Sequence, residues 1–327
     1  MRISICRTTS AILLILALPR ADAGTLIPVV PYPGSSDTVA IAINDNNTIT
    51  GQYEMPDGYH GFVGTLGGQY TSFDGDQFGG ATIPNGINNS GWISGTYYNY
   101  DFCPAPRHEC AFVRRPDGAF VTVTKDGRPL PGEAGGITAK AIFVGYYSAG
   151  KDNFVAYLGK AGAYQNDIDI GCPPYPFAQG INRGGTIVGE CFEGRHNNNV
   201  YGFIQQNNTT VLVRYPVHQL HQTDLFGIND SGLATGVAGD VVFAAEQGVA
   251  LDTNTDTFYP LEFKGASRTV LYGINNAGYI ALVSDLGSFI YCPKPKAKCP
   301  GGTLHAHFGP GVHADKLVRS RIRSDVR

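Results

Sequence analysis

Short apolar stretches separated by glycine-rich polar turns recur along the whole chain. A typical stretch ends in Ile and passes through a turn of small and polar residues. It then continues in a second stretch such as Trp92-Ile93-Ser94-Gly95, whose side chains alternate between two faces. A period of two is typical of β-strands. We find no long stretch with the i, i+3, i+4 spacing of an amphipathic helix. The pattern therefore predicts an all-β protein.

The polar turns are near-copies of one another. An Asn or Thr follows Ile in each of them, and these six residues stand between about 44 and 50 positions apart. Asn can bond the backbone two residues on, and the Gly that usually follows accepts positive φ. Each copy therefore predicts a tight turn between two strands. We call these residues the turn positions of units one to six: Asn44, Asn88, Thr138, Asn182, Asn229 and Asn275.

Each unit has room for four short strands. The strand after the turn carries a glycine, which predicts the close approach of a neighbouring strand. A further element such as His60-Gly61-Phe62-Val63 or Tyr201-Gly202-Phe203-Ile204 follows, and a last strand ends the unit. Four antiparallel strands in about 46 residues have the size of one propeller blade. One blade cannot bury both of its faces, so copies must stack. The glycines in question are Gly51, Gly95, Gly145, Gly189 and Gly236.

We therefore predict a six-bladed β-propeller built from six repeats of about 46 residues, spanning residues 24–314. An open β-solenoid is the alternative. The last blade needs a strand from one of the termini. Residues 26–30 and residues 303–308 both qualify, alongside each other or in competition.

The two ends of the chain have their own composition. Residues 1–23 have Arg2 and Arg7, a short apolar run, and small residues before Gly24, which together predict a cleaved signal peptide. The apolar run is too short to span a bilayer, and no other stretch is long enough. Residues 315–327 are rich in Lys and Arg, and we expect a disordered basic tail there.

These features predict a secreted or periplasmic protein without a membrane span. The net charge of the chain is −3, and its body is acidic while its tail is basic. An acidic body argues against a nucleic-acid-binding surface. Nothing in the sequence calls for an oligomer, so we expect a monomer.

Six cysteines follow the predicted signal peptide. An even number in an exported chain predicts disulfides. Two pairs share a seven-residue step, which favours local pairing and leaves the remaining two cysteines for each other. A zinc site is the alternative, although no Cys-x-x-Cys occurs. The expected pairs are Cys103 with Cys110, Cys172 with Cys191, and Cys292 with Cys299.

The repeated residues resemble the bacterial extracellular repeats of the HAF family. The units of that family run Gly-Ile-Asn, two variable residues, Gly, one residue, Ile-Val-Gly, and later His-Gly-Phe. His60-Gly61-Phe62 matches fully, whereas unit three departs most, with Thr138 in place of Asn. The resemblance covers nearly all of the chain after the signal peptide. It implies an exported, propeller-like protein and no particular reaction.

Candidate chemistry is sparse. Glu190 directly follows a repeat glycine, where other units have uncharged residues, so it is a candidate catalytic acid or a variation beside Cys191. His305 and His307 would face one side of a strand and are candidate metal ligands. No nucleophile elbow, phosphate loop or dinucleotide fingerprint occurs, so we expect no cofactor. The sequence thus favours a binding or scaffold protein for a cell-surface glycan or a protein. A polysaccharide hydrolase or lyase that uses Glu190 is the alternative.

Overall fold

The computed structural model describes residues 24–75, 80–150, 153–172, 175–192, 199–217, 220–240, 245–293, 299, 301–302 and 304–319. Over these residues the fold is all-β, as predicted, and none of them forms a helix that could cross a membrane. The predicted signal peptide and residues 320–327 lie outside the described residues. The strands in chain order are β1 (Gly24–Pro28), β2 (Asp37–Ile43), β3 (Thr48–Met55), β4 (Gly58–Thr65), β5 (Tyr70–Phe73), β6 (Thr82–Ile87), β7 (Ile93–Tyr98), β8 (Glu109–Arg114), β9 (Phe120–Thr122), β10 (Thr124–Lys125), β11 (Arg128–Pro129), β12 (Gly132–Ile137), β13 (Ile142–Ser148), β14 (Phe154–Lys160), β15 (Ala163–Ile168), β16 (Tyr175–Ile181), β17 (Ile187–Phe192), β18 (Val200–Gln206), β19 (Thr209–Arg214), β20 (Gln222–Ile228), β21 (Leu233–Asp240), β22 (Ala245–Asp252), β23 (Thr257–Phe263), β24 (Thr269–Ile274), β25 (Ile280–Ser284), β26 (Gly287–Cys292), β27 (Leu304–Phe308), β28 (Val312–His313) and β29 (Asp315–Arg319).

Each repeat unit forms one antiparallel group of four strands, which we call sheets one to six. Five of them are meanders of consecutive strands: β2 to β5, β6 to β9, β12 to β15, β16 to β19 and β20 to β23. In the sixth, β24, β25 and β26 are followed by β1. Bridges from β18 to β20 and from β23 to β27 join sheets four, five and six into one continuous hydrogen-bonded sheet. The small hairpin of β10 and β11 follows sheet two.

The second strand of each sheet packs against the first strand of the next. Thus β3 contacts β6, β7 contacts β12, β13 contacts β16, β17 contacts β20, and β21 contacts β24. In the sixth sheet β25 contacts β2 of the first. Aromatic side chains of the third strands, among them Phe62, Phe112 and Phe203, are fully buried. The hydrophobic core therefore lies between neighbouring sheets.

The repeated glycine of the second strand makes this packing possible. A Cβ at Gly189 would collide with the carbonyl oxygen of Phe177 on the first strand and press on the ring of Phe203. Gly51 and Gly236 face a first-strand carbonyl in the same way. The predicted close approach is confirmed, because only a residue without a side chain fits there.

Both ends of the chain complete the sixth sheet. Strand β1 pairs antiparallel with β26, with Leu26 opposite Tyr291. Strand β27 pairs with the other edge of β1, with Thr25 opposite His305, and it also pairs with β23 of sheet five. The two candidate closing strands therefore lie side by side and do not compete.

The expectation of a disordered tail over residues 315–327 is wrong for its first five residues. They form β29, which pairs antiparallel with β19 of sheet four, with Leu212 opposite Leu317. Lys316 also forms an ion pair with Asp256. An edge strand such as β19 exposes unpaired N–H and C=O groups, which β29 satisfies. The C-terminal segment, β27 to β29, therefore runs along the outer edges of sheets six, five and four.

The six cysteines pair as their spacing predicts. The bonds are Cys103–Cys110, Cys172–Cys191 and Cys292–Cys299. All six thiols are used in pairs, which removes the zinc alternative for them. Disulfides persist in oxidising compartments, so these bonds indicate an extracellular or periplasmic environment.

Candidate functional site

The side chain at each turn position holds its turn together. In unit two, Asn88 Oδ1 accepts the backbone N–H of Ser90 at 2.9 Å and that of Trp92 at 3.0 Å. Gly91 has a φ of 82°, in the left-handed region where glycine is favoured. The pattern Asn-x-x-Gly thus encodes the turn that joins the first two strands. The same two side-chain bonds are made in the turns of Asn44, Asn229 and Asn275.

The turns of all six units meet around one cavity of about 170 Å³. Each unit contributes three consecutive residues: the Ile before the turn position, the turn position and the residue after it. We call this space the turn-lined cavity and the third residue of each set the rim position. The rim positions are Asp45, Asn89, Ala139, Arg183, Asp230 and Asn276.

An inner ring of hydrogen bonds links the turn positions of neighbouring units. Nδ2 of Asn44 donates to the carbonyl oxygen of Asn88 at 2.9 Å, and Nδ2 of Asn88 donates to that of Thr138 at 2.8 Å. Nδ2 of Asn275 donates to the carbonyl oxygen of Asn44 at 3.0 Å and so connects unit six to unit one. These amides are buried, so each bond replaces contact with water. The remaining links of the ring are made by Asn182 and Asn229.

Unit three interrupts the inner ring. Thr138 has no amide group, and its Oγ1 accepts the backbone N–H of Ile142 at 3.2 Å. The carbonyl oxygen of Asn182 therefore lacks the donor that each other turn position receives from the preceding unit.

An outer ring of hydrogen bonds links the rim positions. The backbone N–H of Asp45 donates to Asn89 Oδ1 at 2.8 Å, and that of Asn276 donates to Asp45 Oδ1 at 2.7 Å. The N–H groups of Arg183 and Asp230 bond the next rim side chain in the same way. Unit three interrupts this ring too, because Ala139 has no side-chain oxygen to accept the N–H of Asn89. The rim position after Ala139 is Arg183, whose guanidinium group has no acceptor for the N–H of Ala139.

Charge is unevenly distributed around the rim. Burial by itself would raise the pKa of Asp45, but hydrogen bonds from Asn89 and Asn276 and the charge of Arg183 lower it below its ordinary value. Nε of Arg183 lies 3.6 Å from Oδ2 of Asp230. The carboxylates of units one and five thus face several donors. The exposed cations Arg183 and Lys140 lie on the side of units three and four.

Glu190, the candidate acid, is partly buried and contacts a second carboxyl group. It belongs to β17, and its side chain is within hydrogen-bonding range of Asp224 on β20 of the next sheet. Gln222 donates to Oδ2 of Asp224. Oδ1 of Asp224 is buried and has no N–H donor among the described residues. A protonated Glu190 is the group placed to donate to it.

The pKa values of this pair are both displaced upward. Burial, followed by the charge and hydrogen bond of Asp224, raises the pKa of Glu190 well above its ordinary value. Burial raises the pKa of Asp224 to about 6. Two carboxyl groups in contact cannot both ionise readily. Of the two groups, Glu190 therefore has the greater tendency to hold a proton.

A third carboxyl group extends the arrangement. Glu133 on β12 accepts a hydrogen bond from Tyr146, and Nδ2 of Asn85 lies 3.4 Å from its Oε2. Burial raises the pKa of Glu133, and its negative charge adds to the raised pKa of Glu190. We call Glu133, Glu190 and Asp224 the acidic cluster. It joins the inner strands of sheets three, four and five.

The geometry of the acidic cluster suits proton sharing better than glycoside hydrolysis. The two carboxyl groups of a glycosidase stand about 5–5.5 Å apart in retaining enzymes and about 6.5–9.5 Å apart in inverting ones. Glu190 and Asp224 are within hydrogen-bonding range of each other, which is closer than either arrangement.

The two candidate histidine ligands lie elsewhere. His305 and His307 are exposed on β27, beside a groove of about 610 Å³. Nε2 of His307 lies 2.9 Å from Oε2 of Glu262 on β23. Within the described part of the chain, no three His, Cys, Asp or Glu side chains are grouped as a metal site would require. The structure therefore does not bring these histidines together with Glu190.

Sequence reasoning missed Asp224, Glu133 and the gap in unit three. Asp224 and Glu133 each stand five residues before their turn positions, so an alignment of the units places them at one repeated position. Glu190 and Asp224 belong to neighbouring sheets, and the spacing of residues within one unit does not predict their contact. The sequence does show Thr138 in place of Asn, but the effect of this difference depends on the inner ring of hydrogen bonds, which the sequence does not show.

Comparison of the chain with protein-family models gives no match, and a search of curated proteins finds no similar sequence.

Proposed function

We propose that the protein is an exported six-bladed β-propeller of the HAF repeat type that binds a polar ligand. Three features support the propeller: one four-stranded sheet per unit, contacts between each sheet and the next, and the bond from Asn275 to Asn44 that joins the last unit to the first. The predicted signal peptide and the three disulfides support secretion or a periplasmic location.

The turn-lined cavity carries the proposal for binding. Equivalent residues of all six units converge on it, and its rim offers amides, carboxylates and a guanidinium group. Binding sites fix their ligands through a few convergent polar groups. A cell-surface glycan, or an exposed loop of a surface protein, presents the hydroxyl and amide groups that pair with such a rim.

A screen of the mature chain against glycans and surface proteins tests this, with one variant that blocks the cavity. Ala139→Trp places an indole at the rim, and we expect it to abolish binding of any ligand found. Ala149→Trp is the matched control. This exposed alanine follows the far end of the same second strand, β13, so the indole there should leave binding unchanged. Equal binding by both variants would remove the cavity from the proposal.

A polysaccharide hydrolase or lyase is the second candidate, and the acidic cluster is the observation in its favour. Carboxyl groups with displaced pKa values are typical of catalytic acids and bases. Glu190→Gln keeps the shape and the hydrogen bond to Asp224 but cannot transfer a proton. Loss of turnover on a glycan panel with intact folding would establish catalysis. If the wild-type protein shows no turnover and the variant binds glycans as tightly as the wild type, only the binding function is supported.

A further inference from the structure

We propose that the gap in unit three is a subsite for a carboxylate, and that the ligand is a glycan bearing uronic acid. This inference rests on the proposed binding at the turn-lined cavity. It concerns the one part of the rim where the repeated hydrogen bonds are missing.

The structure shows what normally fills this place. At the other junctions of the outer ring, an oxygen of an Asp or Asn side chain accepts the backbone N–H of the preceding rim residue. For Arg183 that oxygen belongs to Asp230, at 2.9 Å, and for Asn276 it belongs to Asp45, at 2.7 Å. Ala139 supplies no such oxygen, so a carboxylate from outside the protein can take the position that a carboxylate of the protein takes elsewhere.

The groups left at the gap are donors. Asn89 and Ala139 present backbone N–H groups without a rim acceptor, and both residues are exposed. Lys140 follows Ala139 in the chain, and Arg183 holds the next rim position, with its Nε 3.6 Å from Oδ2 of Asp230; both side chains are exposed. Charge-assisted hydrogen bonds to a carboxylate are about twice as strong as neutral ones. The gap therefore selects an anion over a neutral hydroxyl group.

The opposite side of the rim favours a sugar as the rest of the ligand. Asp45 and Asp230 carry acceptor oxygens there. Both carboxylates already accept a hydrogen bond from Nδ2 of Asn276, at 2.9 Å to Asp45 and 3.0 Å to Asp230. Sugar hydroxyl groups can donate to these oxygens, whereas a peptide terminus brings few donors. A uronate combines one carboxylate with several hydroxyl groups.

Calorimetric titration with sodium D-glucuronate, and with D-glucose as its neutral counterpart, tests the proposal. We expect glucuronate to bind at least about tenfold more tightly than glucose, which corresponds to about 1.4 kcal/mol. Ala139→Asp supplies the missing side-chain oxygen. It should lower glucuronate affinity at least tenfold while raising the melting temperature. Ala149→Asp adds the same charge at the far end of the sheet and should leave affinity unchanged.

A second variant keeps the test independent of the stability of the first. Arg183→Gln should weaken glucuronate about tenfold and leave glucose binding unaltered. Equal affinity for both sugars, or full glucuronate binding by Ala139→Asp, would overturn the subsite. A peptide with a free terminal carboxylate that binds more tightly than glucuronate would overturn the choice of a glycan. The comparison of Ala139→Trp with Ala149→Trp tests separately whether ligands bind in the turn-lined cavity, because that comparison does not require the ligand to have a carboxylate.

Discussion

Replacing Thr138 by Asn should complete the inner ring and stabilise the protein. The new Nδ2 would reach the carbonyl oxygen of Asn182, as Asn88 reaches that of Thr138 at 2.8 Å. Its Oδ1 would accept the backbone N–H of Lys140, in addition to the bond that Thr138 already makes with Ile142. The variant therefore gains two hydrogen bonds.

The size of this effect follows from the burial of the ring. A hydrogen bond contributes about 0.5–1.5 kcal/mol net, and ordering the amide costs part of that gain. We expect a rise of about 1–2 kcal/mol in the free energy of unfolding. In a chain of this length that corresponds to about 1.5–3 °C in melting temperature. Urea denaturation and thermal unfolding, followed by circular dichroism, measure both quantities.

Two controls separate the ring from local effects. Thr138→Ser keeps the hydroxyl group and should stay near the wild type. Asn229→Thr copies unit three into unit five and should cost at least as much as Thr138→Asn gains, because the buried carbonyl oxygen of Asn275 loses the amide donor and keeps the N–H of Gly278. A neutral Thr138→Asn together with a neutral Asn229→Thr would show that the amide ring contributes nothing to stability.

Three further predictions follow from other parts of the molecule. Because burial raises the pKa of Asp224 to about 6 and raises that of Glu190, the native state binds more protons than the unfolded chain above about pH 4. Stability from this pair is therefore lost as pH rises through the folded pKa values. Glu190→Gln should raise the melting temperature at pH 7.5 and leave it unchanged at pH 4.5, and Asp117→Asn, which removes an exposed carboxyl group, is melted beside it as the control. Gly189→Ala should destabilise the fold by several kcal/mol, because its Cβ meets the carbonyl oxygen of Phe177, while Gly67→Ala, whose Cβ would make only an ordinary contact with Thr65 Oγ1 at 3.7 Å, should be nearly neutral in the same melts. Replacing Cys172 and Cys191 together by Ser should cost about 3 kcal/mol, from the entropy of the opened loop, and reductant should then shift the double variant less than the wild type.

Much of the fold can be predicted from the sequence because the code for each unit is local. The Asn-x-x-Gly turns act through bonds to the backbone two and four residues on, and the glycine of the next strand acts through the space that it leaves. The pairing of Cys103 with Cys110 is local in the same sense. Such features need only the spacing of residues within one unit.

The acidic cluster could not be predicted in this way. Glu190 looked unusual within its own unit, but its partner Asp224 belongs to the next one. The pKa of each depends on burial between two sheets. The strand β29 also escaped prediction, because its basic residues suit a solvated tail and its pairing depends on the free edge of β19. Both failures concern contacts between units, on which a repeat pattern carries little information.

The position of β1 between β26 and β27 has a consequence for how the chain folds. The segment synthesised first after the predicted signal peptide finds its partners only when nearly the whole chain has been made. The last group of strands therefore stays incomplete through most of synthesis, and the contacts that finish it join residues far apart in sequence. Such topologies fold slowly. Late completion of this kind suits the export proposed above, because a chain without its final structure can cross a membrane in an extended form before its cysteines oxidise.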